Sequence, residues 1–202
     1  MLDQLIENGQ PFMWWLTPST RTPELEASLR ERGLVALDVD RGMHVDLTDL
    51  TVLDEAPPHG VTVEVAGDDD LPACLPACLP ACPPATVLAM LDGFEMPRDL
   101  SDSFHHLLTS LPATYEQRLV HVLARVDGEP AGAGSVVVSD GVAGLYNIAA
   151  PPLARGRGVG RAVTLELMRL GAQHGCGSSI LHATAIGLPV YQKLGYEAVC
   201  EI

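Results

Sequence analysis

Between Leu119 and Ala149 the chain alternates three apolar runs with turn signals, and that pattern leaves little choice of architecture. Leu119–Val126 closes at Asp127-Gly128, Ala133–Val138 closes at Ser139-Asp140-Gly141, and Ala143–Ala149 closes at Pro151-Pro152. Asp-Gly between apolar runs is a strong hairpin signal, because the tight turn that joins two twisted strands needs φ above zero at its centre. The stretch predicts an antiparallel meander. Its apolar face needs a cover, and the next segment supplies one: Val159, Val163, Leu167 and Leu170 share one side of a helix from about Gly158 to His174. Gly175-Cys176-Gly177 ends that helix; Ser179–Ala183 reads as a strand, Leu188–Lys193 as a helix and Tyr196–Ile202 as a strand. A meander followed by helix, strand, helix and strand predicts an α/β chain, with an α+β-type mixed sheet flanked by helices.

Upstream, two units are expected, residues 1–58 and 59–202, joined at the linker Ala56-Pro57-Pro58-His59-Gly60. In the first, Phe12–Leu16 reads as a short aromatic strand. Thr22-Pro23-Glu24 opens a helix, with Thr as N-cap and Pro at the first helical position, and the helix ends near Gly33. Leu34–Val39 and Met43–Leu47 read as two strands, giving strand-helix-strand-strand. The second unit begins with the alternating strand Val61–Val65, then helical stretches near Thr86–Leu91 and Leu100–Ser110.

Composition narrows the partners. A formal charge of −14 repels phosphate backbones and anionic membrane surfaces, so neither nucleic acid nor membrane is expected, and a cationic amine is favoured. No apolar run reaches the ~20 residues of a membrane helix, and the stretch from Met1-Leu2-Asp3-Gln4 has no basic region followed by an apolar one, so no signal peptide is expected. Five clustered cysteines do not make a disulfide framework in a chain this long; a reducing cytoplasmic setting is expected. Of the 12 basic residues only Lys193 is a lysine, a coding bias that points to a bacterial source.

The turn Arg155-Gly156-Arg157-Gly158-Val159-Gly160, set between a strand and the long helix, carries the chemistry. The first amides of a helix lack intrahelical partners, the helix dipole adds positive potential, and glycines let an anion come close. Arg155, Arg157 and Arg161 add formal charge, so this is an anion site in outline. Glycines at 156, 158 and 160 fail the dinucleotide spacing Gly-x-Gly-x-x-Gly, and the turn has no Gly-Lys-Ser/Thr. Read alone, the six residues leave an anion site and an ordinary turn equally open.

Arg155, Gly158 and Gly160 match the pattern Arg/Gln-x-x-Gly-x-Gly/Ala of the GNAT superfamily of acetyl-CoA-dependent N-acetyltransferases. Leu145–Pro152 resembles that family's fourth strand and following proline, and Tyr191-Gln192-Lys193-Leu194-Gly195-Tyr196 resembles its second signature, at the family's separation. The resemblance spans residues 61–202. It implies a GNAT-like sheet, acetyl-CoA as co-substrate, and direct attack by the primary amine of a small molecule. It implies that the amides of Arg157 to Arg161 hold the pyrophosphate, with Arg155 and Gly156 beside them. The pantetheine arm would pair with Ile148, Ala149 and Ala150, and the Ile148 amide would polarise the acyl carbonyl. Tyr191 would protonate the departing thiolate, Thr184 would contact the arm or substrate, and Tyr146 and Asn147 would meet the acceptor. The strand carries no carboxylate where many family members have a glutamate, so the base is left to water, with Asp92, Glu95, His105 and His121 in reserve. That missing carboxylate keeps open a second reading, a non-catalytic acyl-CoA-binding regulatory module.

Other features carry less. Leu-Pro-Ala-Cys occurs three times over residues 71–82 and spaces Cys74, Cys78 and Cys82 by four. Pro72, Pro76 and Pro80 oppose the helix that would align them, and no metal site is expected. His105-His106 and Trp14-Trp15 read as surface or packing residues, and Lys193 as a surface residue. The N-terminal segment resembles the last elements of a GNAT domain without its cofactor turn, and the chain stops about a strand early at Ile202. We expect that segment to complete the main sheet, or a homodimer of it.

Overall fold

The computed structural model describes residues 14–36, 39–48, 50–66, 84–95, 98, 101–102 and 119–202. Phe12, the Leu-Pro-Ala-Cys repeat, His105-His106 and most of the Leu100–Ser110 stretch lie outside them.

Helix α1 (Pro23–Glu31) starts as its residues dictate: the Thr22 hydroxyl accepts from the Leu25 amide at 3.2 Å, and Gly33 follows at φ 86°. Strand β1 (Arg41–Asp46) and a 3-10 turn (Thr51–Asp54) complete the described N-terminal elements. Strand β2 (Val61–Val65), helix α2 (Pro84–Gly93) and strands β3 (Leu119–Val126), β4 (Glu129–Ser139) and β5 (Val142–Ala149) follow. A second 3-10 turn (Pro152–Ala154) leads to α3 (Val159–Gln173), β6 (Ser178–Ala183), α4 (Leu188–Gln192) and β7 (Glu197–Glu201).

Among the described residues the strands form one mixed sheet in the order β2-β3-β4-β5-β6-β1-β7. Both hairpins close as the Asp-Gly pairs require, with φ positive at Asp127 and Gly128 and again at Asp140 and Gly141. β5 and β6 are parallel and every other pair is antiparallel. β1 sits between β6 and β7, matching His44 to Ile180 on one side and to Glu197 on the other. The N-terminal segment is therefore part of the sheet.

Among the described residues, two of the expected N-terminal strands, Phe12–Leu16 and Leu34–Val39, show no pairing. Trp14–Leu16 and Leu34–Ala36 have no ladder, and Val35 is 76% exposed. β1 takes the place between β6 and β7, and the described parts of the two runs do not join the outer edges of the sheet at β2 or β7.

The core is one main cluster between the sheet and α3, with Val122, Val136, Leu145, Val163, Leu167 and Met168 essentially inaccessible. α2 covers the opposite face through Val87, Met90 and Leu91 against Leu123 and Ala133. Gly171 brings α3 close to β5: a Cβ there would lie 2.5 Å from Ala143 Cβ. Arg169 on α3 donates to the Leu53 carbonyl at 2.7 Å and also to that of Glu55, tying the segment after β1 to this helix.

Candidate active site

The site follows from a failure of pairing. β5 and β6 share rungs only from Val142–Leu145 to Ser178–Leu181, although both strands run on. Beyond that point they part. A bulge helps: β4 moves two residues from Ser135 to Ala133 while β5 moves three from Tyr146 to Ala149, and Asn147 takes the extra place at φ 54°.

A cavity of about 700 Å³ fills the gap, within the size range of small-molecule and cofactor sites. One wall is Ile148, Ala149 and Ala150 at the end of β5; the other is Thr184, Ile186 and Gly187 after β6, with Tyr191 of α4. Arg155, Gly156, Gly158, Val159, Gly160 and Arg161 line its floor. Of these thirteen residues, all but Ile186 and Gly187 are sequence-chosen, and the structure brings those eleven together.

The floor has the anion-site geometry in full. Gly156 and Gly158 hold φ of 75° and 79°, a region that costs other residues strain. The Ala162 amide makes the first intrahelical bond, to Gly158, so the amides of Val159, Gly160 and Arg161 precede the helical ladder. A Cβ at Gly160 would meet nothing within 4 Å. Gly158 is also crossed by the linker, since its Cβ would lie 2.7 Å from Pro58 Cγ. Arg161 pairs with Glu55, the residue just ahead of that linker, at 2.8 Å. The lining holds Arg155, Arg161 and Lys193 and a single carboxylate, Glu95. In a chain of charge −14 that is a local reversal of sign.

Tyr191 is nearly inaccessible, and its ring lies over Gly187, where a Cβ would come within 2.7 Å. Burial first, and the charge of Asp40 second, push its pKa up to about 12. The phenol thus stays protonated across the working range of proteins and can donate but not act as a base. Neighbouring Tyr196 packs edge-on against it at 6.1 Å, donates to or accepts from the Ser179 hydroxyl at 2.6 Å, and is raised further by burial. Thr184 shapes the turn into α4, its hydroxyl accepting from the Gly187 amide at 3.3 Å.

Three sequence-chosen residues stand apart from the cavity. Arg157 turns away to Asp127 of the β3–β4 hairpin at 3.0 Å. Tyr146 folds back over Gly144, where a Cβ would lie 2.8 Å from its ring, and is 47% exposed. Asn147 is spent on the bulge. Other lining residues carry no motif. Lys193 reads as surface in the sequence yet lines the wall, and Gly93, Phe94 and Glu95 arrive from the end of α2. Asp92-Gly93 was the available signal, a helix-ending pair. Among the reserve bases, Asp92 is taken by Arg98 at 2.6 Å. His121 is buried on β3, its Nδ1 2.7 Å from the Ser135 hydroxyl and its Nε2 unpartnered, and burial pushes its pKa down to about 4.

Residues 89–196 match the model of the acetyltransferase (GNAT) family. The chain belongs to that family. A GCN5-related N-acetyltransferase from Kribbella flavida superposes with TM-score 0.57 at 22% identity over 89% of this chain and 62% of its own. One from Sphaerobacter thermophilus gives 0.63 at 16% identity over 89% and 54%. This chain therefore spans less than two thirds of either. Glucosamine-6-phosphate N-acetyltransferase from Arabidopsis thaliana gives 0.51 at 16% identity over 69% and 93%. At such identities the likeness is one of fold. No curated protein sequence matches the chain. No described helix is long and apolar enough to cross a membrane, and no three metal-ligating side chains cluster among the described residues.

Proposed function

We propose that this acetyltransferase moves an acetyl group from acetyl-CoA to the primary amine of a small, cationic acceptor. The observation that carries the reading is the β5–β6 gap, which opens onto the free amides at the start of α3. An extended arm fits the unpaired edge of β5, and a diphosphate fits the amides of Val159, Gly160 and Arg161. The acyl carbonyl then lies by the Ile148 amide, a fixed donor aimed at the developing oxyanion and able to supply a few kcal/mol. The amine attacks the carbonyl carbon, the C–S bond breaks, and the sulfur leaves with its electron pair. Tyr191, buried and protonated, donates to that sulfur. β5 offers no carboxylate, and Glu95 is engaged by Arg155, so water removes the ammonium proton. The arginine bias of the basic residues and the cysteine usage support a bacterial cytoplasm as its setting.

Thiol release from acetyl-CoA, followed with a panel of amines, tests the proposal. Amine-dependent release supports it. CoA binding by calorimetry without release from any amine would favour the regulatory acyl-CoA-binding module instead. Absence of CoA binding by folded protein would remove both.

A further inference from the structure

Arg155 heads the turn, and its charge invites a phosphate, but its side chain is spoken for on the other side. Nη2 pairs with Glu95 Oε1 at 2.9 Å and donates to the Gly93 carbonyl at 3.1 Å, while Nε reaches the Ala150 carbonyl at 3.3 Å. Two of these acceptors belong to the end of α2 and the third to the end of β5. A planar guanidinium with its donors in a fixed fork suits such three-point bracing; an ammonium does not. A cation at a helix C-terminus also complements the unpaired carbonyls there.

The same junction is packed backbone on backbone. A Cβ at Gly93 would lie 2.5 Å from Ala149 Cβ and 2.7 Å from the Ala150 nitrogen. Glu95, bound by Arg155, holds φ at 56°, a left-handed conformation that a glutamate keeps only where its surroundings impose it. Phe94 and Glu95 both line the cavity.

From this we infer that Arg155 is a positioning residue: it pins the end of α2 over the end of β5, sets the Phe94–Glu95 wall against which the acceptor lies, and does not hold the diphosphate. The inference deepens the reading above and rests on it only for the identity of what meets that wall.

The test uses the full chain with Arg155→Ala, Arg155→Lys, Glu95→Ala and the Arg155→Ala/Glu95→Ala pair. CoA affinity is measured by calorimetry, and amide hydrogen exchange is followed over Leu91–Glu95. Arg155→Ala is expected to bind CoA within threefold of the parent while exchange over Leu91–Glu95 speeds up at least tenfold. Arg155→Lys should restore less than half of that protection on a logarithmic scale. With the fastest amine of the panel, KM for the amine should rise at least fivefold and kcat change less, and the double variant should be no worse than Arg155→Ala. CoA affinity falling by more than threefold, or unchanged exchange over Leu91–Glu95, would overturn the inference. If the parent itself fails to bind CoA, the proposed function falls while the exchange result still decides the brace.

Discussion

The two halves of the sheet are built on different plans. β2, β3, β4 and β5 follow one another along the chain, β3, β4 and β5 joined by tight turns. β6, β1 and β7 are assembled from opposite ends of the chain, with β1 threaded between two strands that come more than 130 residues later. The halves meet through four residues of parallel pairing, Val142–Leu145 with Ser178–Leu181. That pairing stops short of the strand ends, although the two halves share one core under α3. The candidate site lies where the pairing stops.

Removing β1 should have the largest effect. A 56–202 fragment leaves β7 with no neighbour and strips α3 of its ties to Leu53 and Glu55, so cooperative thermal unfolding is expected to disappear. A fragment that melts sharply and retains activity would show the second half to be dispensable. Next comes the group that reaches from the second half into the gap. Tyr191→Phe should lower kcat by about 10²-fold or more while CoA affinity is kept; unchanged turnover at saturating substrate would take the phenol out of the chemistry.

In the first half, His121 offers a pH test. The folded state holds it neutral down to about pH 4, whereas the unfolded chain protonates near 6.5. Between those values the unfolded chain binds the extra proton, so stability falls as pH drops through that window, by up to about 3 kcal/mol. Urea unfolding at pH 7 and pH 4.5 should show this loss, and His121→Leu should show a smaller one. An equal pH dependence in the variant would assign the loss to other groups.

The smallest effects compare like with like. Gly171→Ala drives a methyl into Ala143 in the first half, and Gly42→Ala drives one to 2.4 Å from Cys200 Sγ in the second. Each should cost about 1–3 kcal/mol by overpacking. Adding Cys200→Ala should recover stability for Gly42→Ala and do nothing for Gly171→Ala; recovery in both, or in neither, would blur the distinction between the halves.

Legibility divides along the same line. The hairpins could be read because Asp127-Gly128 and Asp140-Gly141 encode their own backbone angles, and α1 because Thr22 encodes its own cap. The floor of the site could be read because Gly156, Gly158 and Gly160 act through neighbours in sequence. What could not be read depends on distant partners. Nothing in Arg41–Asp46 says which two edges it will join, and Leu34–Ala36 looks no less like a strand. Arg155 and Arg157 carry the same charge in the same turn, yet one is drawn to the end of α2 and the other to a hairpin. Lys193 reads as surface because nothing local tells it from a solvated lysine.

Asn147 makes β5 change parity. Ahead of it, side chains keep step with β4; across it, Tyr146 and Ala149 share a face three residues apart, and Ile148 packs with the core on the α3 side. The prolines, the turn and α3 all inherit that phase. Deleting Asn147 would leave Tyr146 and Ala149 on one face and Ile148 on the other, and would remove only the local bend of the bulge. A straightened β5 could then run on beside β6, so this one residue acts as a wedge that keeps the mouth of the gap open.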